Sequence, residues 1–279
     1  MITPELQRKI NFAVKLLQLA APSDGSPIEI AYSGGKDSDV ILQLAKEAGI
    51  NYRAIYKNTT IDPPGTIRHA QDNGAEIMQP KKTFLQLIEA NGLPTRFGRF
   101  CCRYLKEYKI LEKVAMGIRR SESDNRARRY KEPTECKFYG SKKEHVEAIY
   151  PILDWSNADV VEFIKDRKLK IHPLYFRDDG TIDPTRRLGC VGCPMAGRNK
   201  RIEQFKEHPR LLAQIIKALR KFRATHPDVK VNLYFADEYE QVFRYIFCDT
   251  QAEFEYLRGG MFGKPDFKAF LEQQFSIKL

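Results

Sequence analysis

The sequence predicts an α/β protein: a parallel, twisted sheet with helices on both faces, followed by a mostly helical C-terminal part. Two observations predict it. Apolar, β-favouring runs alternate with helical patterns through much of the chain, which is typical of a parallel sheet. Beyond Pro194, the patterns over 197–224, 236–248 and 264–275 are helical, and no clear strand follows. We therefore expect an α/β domain over 1–195 and a helical extension over 196–279 that packs on it.

Caps and turns bound the individual elements. Thr3 is the expected N-cap of the first helix, Gly49 closes the second as its C-cap, and Ser156 starts a later one. Ligands of such sheets lie at the carboxyl ends of the strands. The elements expected, in chain order, are a helix over 4–20, a strand over 28–32, a helix to 48, a strand over 51–59, a short helix from 64, a strand over 75–79, a helix over 83–90, strands over 114–118 and 146–152, and a helix over 158–166.

The composition restricts the class of protein. With 279 residues, 42% hydrophobic and 30% charged, the chain can bury a sizeable core. No apolar run approaches the roughly 20 residues that span a bilayer, and the N-terminus starts a helix rather than a signal peptide. We therefore expect a cytoplasmic protein with no membrane partner. The net charge of +11 suits a nucleic-acid or polyphosphate ligand, and a merely basic surface is the alternative.

A glycine turn joins the first strand to the second helix, in the stretch Ala31-Tyr-Ser-Gly-Gly-Lys-Asp-Ser38. The first helical N–H groups and the helix dipole favour an anion there, and Lys36 adds a positive charge. Asp37 is expected to hold Mg²⁺ or to cap the helix. An ordinary turn with a surface Lys–Asp pair is the alternative. The residues expected to contact phosphate are Ser33, Gly34, Gly35, Lys36, Asp37 and Ser38.

Cysteine pairs provide a second candidate site. Cys101 and Cys102 are adjacent, and Cys190 and Cys193 are two residues apart. In a reducing compartment, such cysteines are more typical of metal ligands or reactive thiols than of disulfides. Four thiolates suit a tetrahedral Zn²⁺ ion or an iron–sulfur cluster. Unrelated thiols are the third interpretation that the residues leave open.

Positive charge is concentrated in one segment. Between Arg96 and Lys131 the chain carries twelve Lys or Arg residues against four Asp or Glu. Guanidinium groups bind phosphate and sulfate bidentately, which favours an anion-binding role. A solvated charge run is the alternative.

The phosphate turn is neither a Walker A loop nor a Gly-x-Gly-x-x-Gly motif. It resembles the pyrophosphate loop, Ser-Gly-Gly-x-Asp-Ser, of the adenine-nucleotide α-hydrolase (PP-loop) superfamily. That resemblance implies a Rossmann-like, adenine-nucleotide-binding domain over 1–195 and often an ATP cleaved between its α and β phosphates. Asp37 and Asp62, each after a predicted strand, are the expected Mg²⁺ ligands.

A second motif narrows the family. Gly117-Ile-Arg-Arg-Ser-Glu-Ser-Asp-Asn-Arg126 resembles the Gly-(Val/Leu)-Arg-x-x-(Glu/Gln)-Ser-x-x-Arg stretch of the phosphoadenosine phosphosulfate (PAPS) reductase family. By that resemblance, Arg119, Ser123 and Arg126 meet the phosphates or sulfate of the nucleotide. Tyr150-Pro-Ile-Leu-Asp-Trp155 resembles another family segment, in which Trp155 is expected to be a packing residue.

The spacing of the cysteine pairs resembles the [4Fe–4S] ligand set of assimilatory adenylylsulfate reductases, which belong to the same family. The sequence around the pairs also resembles the ATP-pyrophosphatase components of DNA phosphorothioation systems. The resemblance implies that four cysteines hold a [4Fe–4S] cluster, namely Cys101, Cys102, Cys190 and Cys193.

The chain departs from the sulfonucleotide reductases in lacking their nucleophile, since no Cys or His follows Cys248. We therefore expect an ATP pyrophosphatase with Lys36, Asp37 and Arg119 as catalytic groups. Its expected acceptor is nucleic acid, DNA ahead of tRNA, with sulfur from a donor such as a cysteine desulfurase. One alternative is a reductase of PAPS or adenylylsulfate that uses Cys136, expected in a polar loop, or Cys248, expected to be buried in a helix. The other is a non-catalytic nucleic-acid-binding subunit.

Overall fold

The computed structural model describes residues 2–139, 144–259 and 265–279. The chain divides into two compact units. The first comprises Met1–Asn58, Pro63–Pro80 and Arg103–Leu188, and the second comprises Thr59–Asp62, Lys81–Cys102 and Gly189–Leu279. The second unit thus includes two segments from the first half of the chain. The expected domain boundary at 195 stays a prediction.

A sheet forms the centre of the first unit. Across the described residues it has six strands in the order β3-β2-β1-β4-β6-β5, all parallel to their neighbours except β5, which pairs antiparallel with β6 at one edge. The expected parallel α/β sheet is confirmed, and the antiparallel edge strand is an addition that the sequence did not predict. The strands are β1 (Ile28–Tyr32), β2 (Tyr52–Lys57), β3 (Glu76–Met78), β4 (Lys113–Ala115), β5 (Thr134–Tyr139) and β6 (Glu144–Ile149).

In the first unit the predicted helices are present in the predicted order, and the short helix over 124–129 is one that the sequence did not predict. The Thr3 hydroxyl caps α1 by accepting the Leu6 N–H, and Ser156 caps α7, as expected. The helices are α1 (Pro4–Ala20), α2 (Lys36–Ala48), α3 (Thr66–Asp72), α4 (Phe84–Asn91), α5 (Phe100–Leu105), α6 (Asp124–Arg129), α7 (Asn157–Asp166), α8 (Arg198–Glu207), α9 (Pro209–Thr225), α10 (Lys230–Tyr234), α11 (Glu238–Phe247), α12 (Gln251–Arg258) and α13 (Phe267–Phe275).

Strand β1 places the phosphate turn because its side chains alternate between two clusters. Ile28, Ile30 and Tyr32 join the main core with residues of α1, α2 and α7, whereas Ala31 packs against a second cluster built on β4 and β6. Successive side chains of a strand point to opposite faces, so the strand is held from both sides. Its carboxyl end, where the turn begins, is therefore rigidly positioned.

Several predicted boundaries were wrong. The single helix expected over 197–224 is two helices, because Pro209 lacks an N–H donor and starts α9 afresh. The expected strand over 114–118 ends at Ala115, and the one over 146–152 ends at Ile149. The helix expected over 264–275 is α13, with residue 264 outside the described residues. Beyond Pro194 no described residue belongs to a strand, as expected.

In the described part of the chain, no helix combines the length and the apolar character that crossing a membrane requires.

Candidate functional site

The turn between β1 and α2 carries the predicted phosphate-binding residues. Gly34 has φ of +74°, and a Cβ at this position would lie 2.9 Å from Cγ2 of Thr66. Both the conformation and the space therefore require glycine. Gly35 is the N-cap of α2, and among the described residues no side chain caps this helix. A helix N-terminus of this kind offers N–H donors to an anion.

The two serines of the turn shape it from inside. The Ser33 hydroxyl donates to Ser38 Oγ at 3.3 Å, and the Ser38 hydroxyl donates to the Gly35 carbonyl at 2.7 Å. Ser33 Oγ also accepts the Gly35 N–H at 3.4 Å. Their expected contact with phosphate stays a prediction, and both side chains already stabilise the bend.

Three charged side chains meet at the start of α2. Asp37 accepts from Lys36 Nζ at 3.0 Å and from Arg119 Nε at 2.8 Å. Lys36 is only 2% exposed and lies over the ring of Tyr175, 5.1 Å from its centroid. Burial lowers the pKa of Lys36, and the Asp37 carboxylate opposes that shift. The sequence thus places two cations and one carboxylate in a low-dielectric setting, where charge acts strongly.

Arg119 is anchored by protein on every nitrogen. Besides the bond to Asp37, Nη1 donates to Ser121 Oγ at 3.0 Å and to the Trp155 carbonyl at 3.4 Å, and Nη2 donates to Asn157 Oδ1 at 3.0 Å. Its side chain is 1% exposed. Arg119 therefore holds Asp37 in place, and its direct contact with phosphate stays a prediction. Trp155 is buried against Phe163, which confirms its packing role.

The remaining predicted phosphate contacts lie on the segment after β4. Ser123 caps α6 by accepting the Arg126 N–H, and Arg126 pairs with Glu122. Burial and the neighbouring guanidinium of Arg187 lower the pKa of Arg126. Arg187 lies 3.5 Å from Glu122 and is more than half exposed. Arg187 also acts electrostatically on Lys36, so it belongs to the same basic cluster.

A buried carboxylic acid lies directly behind the turn. Asp39 accepts from the Tyr32 hydroxyl, and its Oδ1 lies 3.1 Å from His69 Nε2. Burial raises the pKa of Asp39, and the hydrogen bond from His69 opposes that shift. The His69 ring packs edge-on against His172. This polar group locks the first turn of α2 to α3 from within.

Tyr175 and Arg187, like Asp39 and His69, were not among the predicted residues of this site. Tyr175 supports Lys36, and its hydroxyl accepts the Leu188 N–H at 3.3 Å. Arg187 comes three residues before Cys190 and was visible only as part of the cysteine motif. The sequence offered no periodicity that links either residue to the turn.

The four predicted ligand cysteines all belong to the second unit. Cys101 and Cys102 lie on the short helix α5, and Cys190 and Cys193 lie in the loop before α8. None of the four is in a disulfide, and all are partly buried. A hydrogen bond with Cys102, burial and the nearby thiol of Cys190 raise the pKa of Cys101.

The loop between Cys190 and Cys193 is tightly held. Gly192 has φ of +68°, and a Cβ there would lie 2.3 Å from Cζ of Phe205. Its N–H donates to Gln204 Oε1 at 3.0 Å, and its carbonyl accepts from the Tyr245 hydroxyl. The two sulfurs of this pair are therefore presented from a fixed backbone.

The expected metal ligands do not form a ready site for a single ion. Among the described residues, no group of three or more Cys, His, Asp or Glu side chains is arranged to hold one. Asp62 accepts the Thr59 N–H at 3.1 Å, and its Oδ1 lies 3.7 Å from the Cys190 sulfur. Asp62 therefore neighbours the cysteines within the second unit, and Mg²⁺ binding by Asp37 or Asp62 stays a prediction.

The two other cysteines occupy different settings. Cys136 is exposed on β5, so its expected loop setting was wrong. The strand was not predicted because its sequence is polar. An edge strand is paired on one side only, so polar residues are tolerated there. Cys248 follows α11 directly and is 2% exposed, and burial raises its pKa to about 11. Its expected burial is confirmed.

The parallel α/β sheet, whose first strand ends in this glycine turn beside a buried lysine, agrees with the Rossmann-like fold that the resemblance to PP-loop proteins implies. The comparison with known families is more specific. The chain belongs to the phosphoadenosine phosphosulfate reductase domain family, which matches residues 27–196. Membership of this family supports the prediction that the chain binds an adenine nucleotide. The family includes the sulfonucleotide reductases.

Individual relatives are more distant. An uncharacterised protein of Methanocaldococcus jannaschii is 29% identical over 78% of this chain and 54% of its own length. The chain thus spans about half of that relative. The adenosine 5′-phosphosulfate reductase of Oceanobacillus iheyensis is 27% identical over 66% of this chain and 78% of its own length. The U34-tRNA thiolase NcsA from Methanococcus maripaludis with its [4Fe-4S] cluster is 15% identical, with a TM-score of 0.42 over 82% of this chain and 84% of that one.

Proposed function

We propose that this protein is an ATP pyrophosphatase that activates a nucleic-acid acceptor for sulfur transfer, as in DNA phosphorothioation. The observation that carries the proposal is the buried pair of Lys36 and Arg119 on Asp37, at the uncapped end of α2. Such a fixed set of cations next to N–H donors is suited to the charge that develops on leaving phosphates.

The proposed reaction has two steps. An oxygen of the acceptor attacks the α-phosphorus of ATP, the bond from that phosphorus to the bridging oxygen breaks, and pyrophosphate leaves with the electron pair. Sulfur at the sulfide level then displaces AMP from the acceptor. A persulfide donor, such as a cysteine desulfurase carries, delivers sulfur at that level only together with two electrons from a thiol reductant.

The chain's own residues have distinct parts in the first step. Lys36 stabilises the negative charge on the leaving pyrophosphate, and the N–H groups at the start of α2 bind it. Arg119 fixes Asp37 and contributes positive potential from behind it. Mg²⁺ is expected to arrive on the phosphates of the nucleotide, with Asp37 and Asp62 as the candidate protein ligands.

The cysteines suit an iron–sulfur cluster by chemistry and place. All four belong to one compact unit, and none is in a disulfide. Cys102 and Cys190 both contribute to the raised pKa of Cys101. We propose that Cys101, Cys102, Cys190 and Cys193 hold a [4Fe–4S] cluster. When bound, such a cluster supplies redox-active iron and sulfide.

The decisive experiment uses protein purified without oxygen. Pyrophosphate release is measured with ATP, PAPS and adenylylsulfate, each with and without single-stranded DNA or tRNA. The proposal expects pyrophosphate from ATP that increases with one of the nucleic acids. If ATP yields no pyrophosphate under any of these conditions, the proposal is wrong.

A sulfonucleotide reductase is the second candidate, because a relative named as an adenosine 5′-phosphosulfate reductase matches 66% of the chain. It predicts sulfite release with a thiol reductant, and loss of that release in Cys136→Ser or Cys248→Ser. At a pKa of about 11 the Cys248 thiol is almost wholly protonated near neutral pH, which disfavours it as a nucleophile. Salt-sensitive nucleic-acid binding with no turnover of any nucleotide would instead indicate a binding subunit.

A further inference from the structure

The second unit contains a cavity that the proposed reaction does not use. Its volume is about 310 Å³, and it is separate from the phosphate turn in sequence and in compact unit. Its walls come from the loop before α5, from α10 and the residues after it, and from α11 to α12. This volume is at the lower end of the range for small-molecule sites, large enough for one nucleoside.

One wall of the cavity is apolar and aromatic. The ring of Phe97 is fully exposed, and Phe235 and Val231 line the same space. An exposed phenylalanine next to a concave apolar wall is costly in water, which favours a flat ligand that covers it. Stacking on an aromatic ring is the usual way in which proteins hold an unpaired base.

The floor carries a polar group in need of a partner. Gln241 lines the cavity and is 6% exposed, and its Oε1 has no hydrogen-bond partner among the residues that the structure describes. A buried acceptor without a partner costs free energy, so a ligand that brings an N–H group is favoured. The amino and imino groups of nucleobases are such donors.

The charges around the cavity favour an anionic ligand. Among the described residues that line it, Arg96, Arg201 and Arg244 carry guanidinium groups and one residue, Asp249, carries a carboxylate. Arg96 and Arg201 both approach that carboxylate, at 3.5 and 3.1 Å. Within the described ranges, Arg244 forms no ion pair with a carboxylate and donates to the Cys248 carbonyl. The excess of positive charge suits a phosphate attached to the base.

The cavity also adjoins the cysteines. Tyr245 lines it and donates to the carbonyl of Gly192, between Cys190 and Cys193. Burial, together with Cys193, Cys101 and Cys190, raises the pKa of Tyr245. Tyr245 therefore links the wall of the cavity to the loop that carries Cys190 and Cys193.

We propose that this cavity binds one unstacked nucleotide unit, with its base on Phe97, an N–H group of the base on Gln241, and its phosphate near Arg96 and Arg244. That the nucleotide belongs to the strand that accepts sulfur rests on the function proposed above. Recognition of a nucleotide in this cavity does not depend on that function. A base that is paired and stacked in a duplex cannot enter, so the site selects single strands or extruded bases.

The test measures binding of a fluorescent single-stranded oligonucleotide to the full chain by anisotropy at fixed salt. Phe97→Ala and Gln241→Leu are compared with wild type and with Phe12→Ala, an exposed phenylalanine on α1 of the first unit. Loss of one stacked base is expected to weaken binding about 5- to 150-fold for Phe97→Ala. The Phe12→Ala control is expected to bind within twofold of wild type. Gln241→Leu removes the buried acceptor that has no partner among the described residues, so the thermal midpoint of this variant should not fall below that of wild type. A loss of binding in this variant is then not a loss of folding.

Free AMP is the second arm, measured in a Lys36→Ala background to suppress the phosphate turn. Binding of the strand that depends on Phe97 and Gln241 supports a nucleic-acid ligand. Binding of AMP alone with the same dependence supports the cavity with a free nucleotide as its ligand. If neither ligand binds, or if binding is the same in both variants as in wild type, the inference is overturned.

Pyrophosphate release from ATP is recorded in parallel. Binding that depends on Phe97, without pyrophosphate release, leaves the cavity intact and removes the proposed function. Pyrophosphate release from ATP, together with unchanged binding in Phe97→Ala, supports the proposed function and overturns the inference about the cavity.

Discussion

The phosphate turn and the cysteine region satisfy their reactive groups in opposite ways. At the turn, the carboxylate of Asp37 has two cationic partners, and those cations are held in turn by Tyr175 and by Asn157. In the cysteine region, none of the four thiols is in a disulfide, and a hydrogen bond with Cys102, burial and the nearby thiol of Cys190 raise the pKa of Cys101. The charges of the first site are paired by protein groups alone, whereas on the function proposed above a bound cluster stabilises the second.

This difference has a consequence for stability. A preorganised charge cluster contributes to folding and loses little when it binds its ligand. A set of thiols contributes to folding only through the ligand that deprotonates and joins them. Substitutions at the turn should therefore separate catalysis from folding, and substitutions at the cysteines should separate cofactor content from the rest of the fold.

The largest effect is expected in the cysteine region. Cys102→Ser and Cys190→Ser should each lose most of the iron and acid-labile sulfide of protein purified without oxygen, because a missing thiolate leaves a cluster iron without its ligand. The exposed Cys136→Ser is the matched control and should retain both. Equal iron in all these variants, or none in wild type, would show that the cysteines hold no cluster.

At the turn, Lys36→Met should lower the rate of pyrophosphate release by about 100- to 1,000-fold, since one preorganised charge at the leaving group is removed. Lys46→Met, an exposed lysine on the same helix, should leave the rate within twofold. The rates are measured at saturating ATP, with circular dichroism as a check of folding. A Lys36→Met enzyme with a normal rate would exclude Lys36 from catalysis.

Arg119 distinguishes anchoring from catalysis. Arg119→Lys removes donors to Asp37, Ser121 and Asn157 in a buried setting, and should lower the free energy of unfolding by about 3 kcal/mol. Arg53→Lys, which weakens the exposed pair with Glu76, should cost less than about 1 kcal/mol. Urea unfolding measures both. Similar costs for the two variants would contradict the anchoring role of Arg119.

The smallest expected effect is a pH dependence of the first unit. Burial and His69 lower the pKa of His172, so near pH 6 the unfolded chain binds more protons than the folded one. The free energy of unfolding should therefore rise as the pH rises toward the ordinary histidine value of about 6.5, by at most about 1.4 kcal/mol per pH unit.

His172→Asn tests this slope while it keeps an acceptor for the Leu174 N–H, which now donates to Nδ1 at 3.2 Å. The variant should show a flatter dependence in urea unfolding between pH 5 and 7.5. A slope that is unchanged by the substitution would remove His172 as its source.

Much of the fold could be predicted from the sequence because it depends on patterns within short segments. The Thr3 and Ser156 caps, the Gly49 stop and the apolar pattern of β1 are each encoded within a few residues. Strand β5 was missed because it is stabilised mainly by its pairing with β6. The polar segment Thr134–Tyr139 contains no pattern that predicts this pairing.

The candidate sites show the same division. Glycine is required at Gly34 by backbone geometry, so the phosphate turn could be recognised from its letters alone. Lys36 pairs with its neighbour Asp37, but Tyr175, over which it lies, and Arg119, which holds Asp37, come from far along the chain. The spacing of the cysteines suggested a ligand set, but the proximity of Asp62 to Cys190 was not predictable.

Motifs and caps in the chain were thus enough to predict the α/β class, the glycine turn and the family, because each is carried by residues that are close in sequence. Tertiary packing alone decided which groups are buried, which charges meet and where the cavity beside Tyr245 opens. Those properties arise from contacts between distant segments, whose energies depend on burial and distance rather than on the order of residues.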